Sequence, residues 1–205
     1  MTPLNIINVG YMSTNYYVLD AGKSRLLVDV GVPGSFGQLA ANLKRMGIEL
    51  TSIQHLLVTH YHPDHAGIVE EVKAAGVRHI VLDVQRAAID FMRHAYIKPT
   101  SPYIPIGFDD QNSVLVTLAA SRGLLKGLGF DGEIIATPGH SDDSVSLVLD
   151  EGSAFIGDLT PLAMADDSNR ATLQTSWERL RDLHATRFYH GHMPPQSFAQ
   201  MAKHT

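Results

Sequence analysis

Seven consecutive residues, Thr59-His60-Tyr61-His62-Pro63-Asp64-His65, constrain this chain more than any other feature. They follow a mostly apolar run from Ile53 to Thr59 that reads as a β-strand. They precede Ile68, Val69, Val72 and Ala75, whose spacing predicts a helix ending at Gly76. The cluster therefore occupies a strand-to-helix connection. Where a segment leaves a strand, side chains two residues apart point the same way, so His60 and His62 can face one metal ion. Once the chain turns into the helix, Asp64 and His65 point elsewhere and can serve a second ion, about 3.5–4 Å from the first in two-metal hydrolytic sites. The plainer reading of the same residues is a polar surface turn.

Four side chains cannot complete two coordination shells, so a fold that uses them must bring donors from elsewhere. His140 follows Thr137-Pro138-Gly139, Asp158 follows Phe155-Ile156-Gly157, and His192 follows Gly191. Each stands at the C-terminal end of an expected strand beside a glycine, where the backbone can turn and aim a side chain into a shared cleft. His190, in Tyr189-His190-Gly191-His192, is the alternative last ligand. Neutral imidazole and carboxylate suit zinc, and also iron or manganese. His55, His79, His94, His184 and His204 have no companion ligands and are assigned to solvation or local hydrogen bonding. Asp142, Asp143 and Ser144 read as turn formers. Tyr11, Tyr61, Tyr96 and Tyr103 read as core packing or as the lining of a substrate pocket.

The rest of the chain supplies strands and helices in two similar batches. Asn5 to Val9, Tyr16 to Leu19 and Leu26 to Val30, broken by Gly10, Gly22 and Gly31, predict an antiparallel meander. A helix is expected from Ser35, as N-cap, to Met46, with Gly47 as terminator. Val77 to Leu82 reads as a strand and Val84 to Ile97 as a helix. The stretch between Ile97 and Asn112, with Pro99, Pro102, Pro105 and Gly107, reads as a mobile flap. Then come strands at Glu133 to Ala136, Val145 to Leu149 and Ala154 to Ile156, with a hairpin turn at Asp150 to Gly152. A helix from Thr172 to Leu183 and a short strand from Arg187 to Tyr189 complete the set. The expectation is an α/β (α+β) architecture, two sheets back to back with helices outside, in one domain covering residues 1–205, since no linker separates two halves.

Composition narrows the function classes. A formal net charge of -5 with scattered Lys and Arg argues against a nucleic-acid partner. The absence of cysteine excludes disulfides, thiolate nucleophiles and Cys-ligated metal. Residues Met1 to Asn8 do not read as a secretory signal, and no stretch approaches the ~20 apolar residues of a membrane helix, so the expected location is cytoplasmic with no membrane partner.

Leu27-Val28-Asp29-Val30-Gly31, THYHPDH, TPGHSDDS, FIGD and the late HGHMPP, in this order, resemble the metallo-β-lactamase-fold hydrolase superfamily, most of all its small glyoxalase II-like and lactonase-like members. The resemblance implies a four-layer αββα sandwich with two metals at one edge of the paired sheets. It implies that His60, His62 and His140 bind the first metal, that Asp64, His65 and His192 bind the second, and that Asp158 bridges both. Asp29 resembles an acidic residue that supports the site from behind, or else is a simple turn carboxylate.

Two divalent ions, zinc first, would activate a bridging water, with Asp64 orienting the nucleophile or moving its proton. The implied substrate is a small ester, thioester or lactone, because cysteine-ligated zinc β-lactamases are excluded and the helical C-terminal region of glyoxalase II is not part of these 205 residues. The alternatives are a phosphodiesterase or nuclease of the same fold, a persulfide-dioxygenase-like oxidoreductase with one iron, and a metal-stabilised binding module without catalysis.

Overall fold

The computed structural model describes residues 4–95, 100, 102–108 and 111–201, with the backbone alone at 93–95 and 201. The chain forms two compact units, residues 1–117 and 118–205.

The first unit is built on a six-stranded sheet. Its opening strands β1 (Asn5–Asn8), β2 (Tyr17–Asp20) and β3 (Arg25–Val28) form the expected antiparallel meander. From β3 onward, β4 (His55–Leu57), β5 (Arg78–Leu82) and β6 (Ser113–Val116) add in sequence order, all parallel. Parallel neighbours require crossovers, and helices supply them. Helix α1 (Phe36–Arg45) links β3 to β4. Helices α2 (Pro63–Ala66) and α3 (Val69–Ala74) link β4 to β5, and α4 (Arg86–Ala95) follows β5. α1 buries Leu39, Asn42 and Leu43 and gives way to Gly47, whose φ of 71° suits a residue without Cβ. The core joins Val18, Leu27, Leu56 and Val81 of the sheet to Leu39, Val72 and Ile89 of the helices.

Several boundaries depart from expectation. Ser35 precedes α1, but its hydroxyl donates to Val32 O at 2.7 Å and makes no capping bond. The expected helix from Val84 starts as a 3-10 turn at Asp83–Gln85 and is α-helical only from Arg86; its expected end, Ile97, lies outside the described residues. β6 was not expected at all.

The stretch expected as a mobile flap is packed where the structure describes it, while residues 97–99, 101 and 109–110 lie outside the described residues. Over the described residues 102–108 the segment is packed, with Tyr103, Ile106 and Phe108 buried in the core of this unit. Gly107 is held at both ends of its peptide: its N–H donates to Glu70 Oε1 at 2.8 Å, and its carbonyl accepts from Lys73 Nζ at 2.6 Å. Prolines suggest freedom, but apolar side chains driven from water and the pair of buried Lys73 with partly buried Glu70 at 2.8 Å hold the backbone.

The second unit carries a five-stranded sheet in the order β11-β10-β9-β8-β7. It opens with α5 (Ser121–Leu128), also absent from the sequence reading, which stops at the left-handed Gly129. Strands β7 (Gly132–Ala136), β8 (Val145–Leu149) and β9 (Ser153–Gly157) are antiparallel neighbours, with the expected hairpin turn between β8 and β9. Helix α6 (Arg170–Asp182) buries Leu173, Ser176, Trp177 and Leu180. β10 (Arg187–His190) lies parallel to β9, and β11 (Gln196–Ser197) with α7 (Phe198–Met201) ends the described chain. Leu173, Trp177 and Leu180 pack with Val148, Ile156 and Phe188 in this unit's own core. Among the described residues no helix is long and apolar enough to cross a membrane.

Candidate functional site

The residues expected to carry the chemistry fall into two groups, one in each unit. In the first unit the parallel strands set their position, because open parallel sheets gather functional loops at strand carboxyl ends. β3 leads directly into Asp29, and the chain beyond β4 runs on into His60, His62, Asp64 and His65. The His60 ring centroid lies 4.6 Å from that of His62 and 4.3 Å from that of His65. Asp64 Oδ2 is 3.6 Å from His65 Nε2. All four donors of the cluster are thus brought together.

Asp29 supports them. Its backbone has φ 62°, a left-handed conformation that Asp tolerates better than most residues. Its carboxylate accepts from Thr59 N at 2.6 Å, Thr59 Oγ1 at 2.8 Å and His65 Nδ1 at 2.9 Å. A carboxylate only accepts, so Nδ1 of His65 carries the proton and Nε2 keeps its lone pair. Thr59 Oγ1, with its hydrogen given to Asp29, faces His60 Nδ1 at 3.2 Å as an acceptor and imposes the same tautomer there.

In the second unit β7 and β9 run in the same direction, being antiparallel to the strand between them, and β10 is parallel to β9. The carboxyl ends that lead to His140, Asp158 and His192 therefore lie on one side of the sheet. Asp158 Oδ2 is 3.7 Å from His140 Nε2 and 3.2 Å from His192 Nε2.

Local structure explains the placement. Gly139, at φ 135°, sits where a Cβ would collide with Leu173 of α6, and Ser176 Oγ donates to Pro138 O at 2.7 Å. Gly157 turns at φ 52°, and Gly191 N donates to Gly157 O at 2.8 Å, tying the Asp158 turn to the His192 turn. Trp177 Nε1 donates to Thr160 O at 2.9 Å, two residues past Asp158 in the chain.

His190, the alternative last ligand, is 2% exposed within β10, next to a register shift. Burial lowers its pKa to about 4, opposed in part by the Asp158 charge. Tyr16 packs its hydroxyl against Gly31, and burial, then the charges of Asp64 and Asp29, raise its pKa to about 12. It stays a neutral phenol near those carboxylates. Of the other tyrosines considered, Tyr61 and Tyr103 are buried and Tyr11 is 38% exposed, while Tyr96 lies outside the described residues.

Sequence reasoning missed Thr59, Gln85 and His79 as partners of the cluster. Gln85 donates to Val58 O and Thr59 O, and His79 bonds the Tyr61 hydroxyl. Thr59 was visible as the residue joining strand to cluster. A lone amide after Val84 and a lone histidine in a strand carry no pattern.

A family model described as the metallo-beta-lactamase superfamily matches residues 9–192. The beta-lactamase-like protein 2 homolog of Caenorhabditis elegans is 29% identical over 189 residues, 88% of this chain and 56% of that protein. A hydroxyacylglutathione hydrolase of Cereibacter sphaeroides is 31% identical over 199 residues, 95% of this chain and 64% of that protein. The chain thus spans 56% and 64% of the lengths of these two curated relatives. Among solved structures, a metallo-beta-lactamase family protein of Thermus thermophilus superposes with a TM-score of 0.63 at 22% identity, covering 99% of this chain and 78% of that one. That likeness shows the fold, mixed α/β with two sheets.

Proposed function

The chain belongs to the metallo-β-lactamase superfamily, and from that premise we propose a dinuclear metal-dependent hydrolase in which both units act as one domain. His60, His62 and His140 would hold one ion; Asp64, His65 and His192 would hold the other, with Asp158 shared, two groups whose donor chemistry suits a metal. His192 is taken in preference to His190 because its Nε2 stands 3.2 Å from Asp158 Oδ2, within the same group of donors.

The observation that carries this reading is the Asp29 carboxylate behind the cluster, which holds the proton on Nδ1 of His65 and, through Thr59, on Nδ1 of His60, so that Nε2 is the nitrogen with which each ring would meet a cation. Spacing agrees. Two donors on one tetrahedral zinc, each about 2.0–2.1 Å from it, stand about 3.3 Å apart. Asp158 lies 3.2 and 3.7 Å from the nitrogens of His192 and His140, and Asp64 lies 3.6 Å from that of His65. Charge-assisted hydrogen bonds of about 2.7–2.9 Å are shorter. Zinc fits these donors first, with iron or manganese next.

When bound, such ions bring a water's pKa down toward 7 and polarise the substrate's carbonyl oxygen. Asp64, with its side chain 33% exposed, orients the attacking water and takes up its proton. The substrate is a small ester, thioester or lactone, in line with the likeness to a hydroxyacylglutathione hydrolase. The net charge of -5 weighs against a phosphodiester in nucleic acid. Asp64 and His65, both present, weigh against the single-iron oxidoreductase. A cytoplasmic location belongs to the same reading and is checked by fractionation.

Metal analysis of the purified chain with an activity screen on lactones, thioesters and phosphodiesters tests the proposal. Two zinc per chain with ester, thioester or lactone turnover is expected. One iron with oxygen consumption overturns it, as does bound metal with no turnover.

A further inference from the structure

Past Leu57, β4 has no ladder left: its last paired residue lies opposite Val28 on one side and Ile80 on the other. The backbone nevertheless continues, buried, through Val58, Thr59, His60 and Tyr61. On the β3 side Asp29 takes the Thr59 N–H. On the β5 side the partners are side chains. Gln85, 0% exposed in the 3-10 turn after β5, donates from Nε2 to Val58 O at 3.0 Å and to Thr59 O at 3.3 Å. A primary amide carries two hydrogens on that nitrogen, so one side chain serves both carbonyls. Two residues further, Tyr61 shares a hydrogen bond of 2.9 Å with Nε2 of His79 on β5, both residues being buried.

These contacts are not what packing alone would select. Methionine fills the volume of Gln85 and phenylalanine that of Tyr61, without the desolvation that a buried amide, phenol or imidazole costs. What polar side chains add is direction. Tyr61 stands between His60 and His62, so a ring tied to β5 holds both imidazoles on the other side of the backbone.

We propose that Gln85 and His79 are positioning residues of the histidine cluster, fixing the backbone from Val58 to Tyr61 so that His60 and His62 meet a divalent cation already arranged. The inference rests on the metal reading above. A loop that samples other conformations binds more weakly in proportion to the time it spends out of place, and outlying partners of metal-bound histidines typically contribute 10–100-fold in affinity.

Zinc affinity of the full chain, measured by competition with a chromophoric chelator, tests this without any substrate, and melting of the metal-free protein checks folding in parallel. Gln85→Met is expected to bind zinc about 10–100-fold more weakly while still melting cooperatively. Tyr61→Phe, His79→Phe and the double variant are expected to lose the same factor, because each breaks one bond; His79→Gln, able to bond the phenol, recovers part of it.

Gln85→Met with wild-type affinity, or additive losses in the Tyr61/His79 cycle, overturns the proposal while leaving the metal reading intact. Should Gln85→Met fail to melt cooperatively, the Tyr61→Phe cycle decides alone, since phenyl keeps the ring volume. A wild-type chain that binds no zinc overturns both readings together.

Discussion

Asp29 Oδ2 accepts a hydrogen bond from His65 Nδ1 at 2.9 Å, from a backbone held at φ 62°. One side chain thereby sets a tautomer, anchors the start of the cluster through Thr59, and does so from a conformation few residues tolerate. Asp29→Asn keeps the left-handed preference but exchanges one acceptor oxygen for a donor. It should weaken metal binding by roughly 10–100-fold with a modest loss of stability. Asp29→Ala adds backbone strain and three unmet donors, a further cost on the order of 1–3 kcal/mol. Chelator competition and denaturant unfolding of both variants check the order; equal effects would show that the charge, not the backbone, is all that counts.

Two glycines should respond oppositely to the same substitution. A Cβ on Gly67, just after α2, would collide with Pro63 O and with Pro33 N and Cδ, backbone and ring atoms that cannot swing aside. Gly67→Ala therefore costs roughly 1–3 kcal/mol and loosens His65. Gly37, inside α1, has nothing among the described residues within 4 Å of such a Cβ. Gly37→Ala should stabilise by about 0.5–1 kcal/mol through helix propensity. Thermal melting of the pair separates the two.

His62 leans on His60 with ring centroids 4.6 Å apart. Replacing it with alanine removes a donor without burying a new polar group, so metal content and hydrolysis should fall together while the metal-free protein keeps its melting temperature. Retained metal alongside lost activity would assign His62 to substrate, not to the ion.

How much of this was legible from residues alone follows from which interactions are local. The meander, the strand-to-helix placement of His60 to His65 and the hairpin before Ser153 depend on side-chain period and turn glycines, which a sequence displays directly. Ser113–Val116 and Ser121–Leu128 were missed because both follow a proline-rich stretch that was read as loose chain, whereas Tyr103, Ile106 and Phe108 bury themselves. Gln85 and His79 were invisible for another reason. Their partners, Thr59 and Tyr61, lie 26 and 18 residues away in sequence and meet them only through parallel pairing of β4 with β5.

Acid should destabilise the metal-free protein through histidines buried without charge. His55, in β4, has its pKa lowered by burial first and by Arg78 second, and its Nδ1 makes no hydrogen bond among the described residues. His190 is lowered further, to about 4. In both, the folded value lies below the unfolded value of about 6.5, so the unfolded chain binds protons that the folded chain refuses. Stability is then fully present above pH 6.5 and lost as the pH falls below it; for His190 the loss continues to about pH 4 and reaches about 3 kcal/mol. His55→Leu removes one of these proton sites from an already apolar strand, so its unfolding free energy should fall less than that of wild type between pH 7.5 and 5. Denaturant titrations in chelator at the two pH values measure the difference, and an unchanged slope would mean that His55 gains its proton in the folded chain as readily as in the unfolded one.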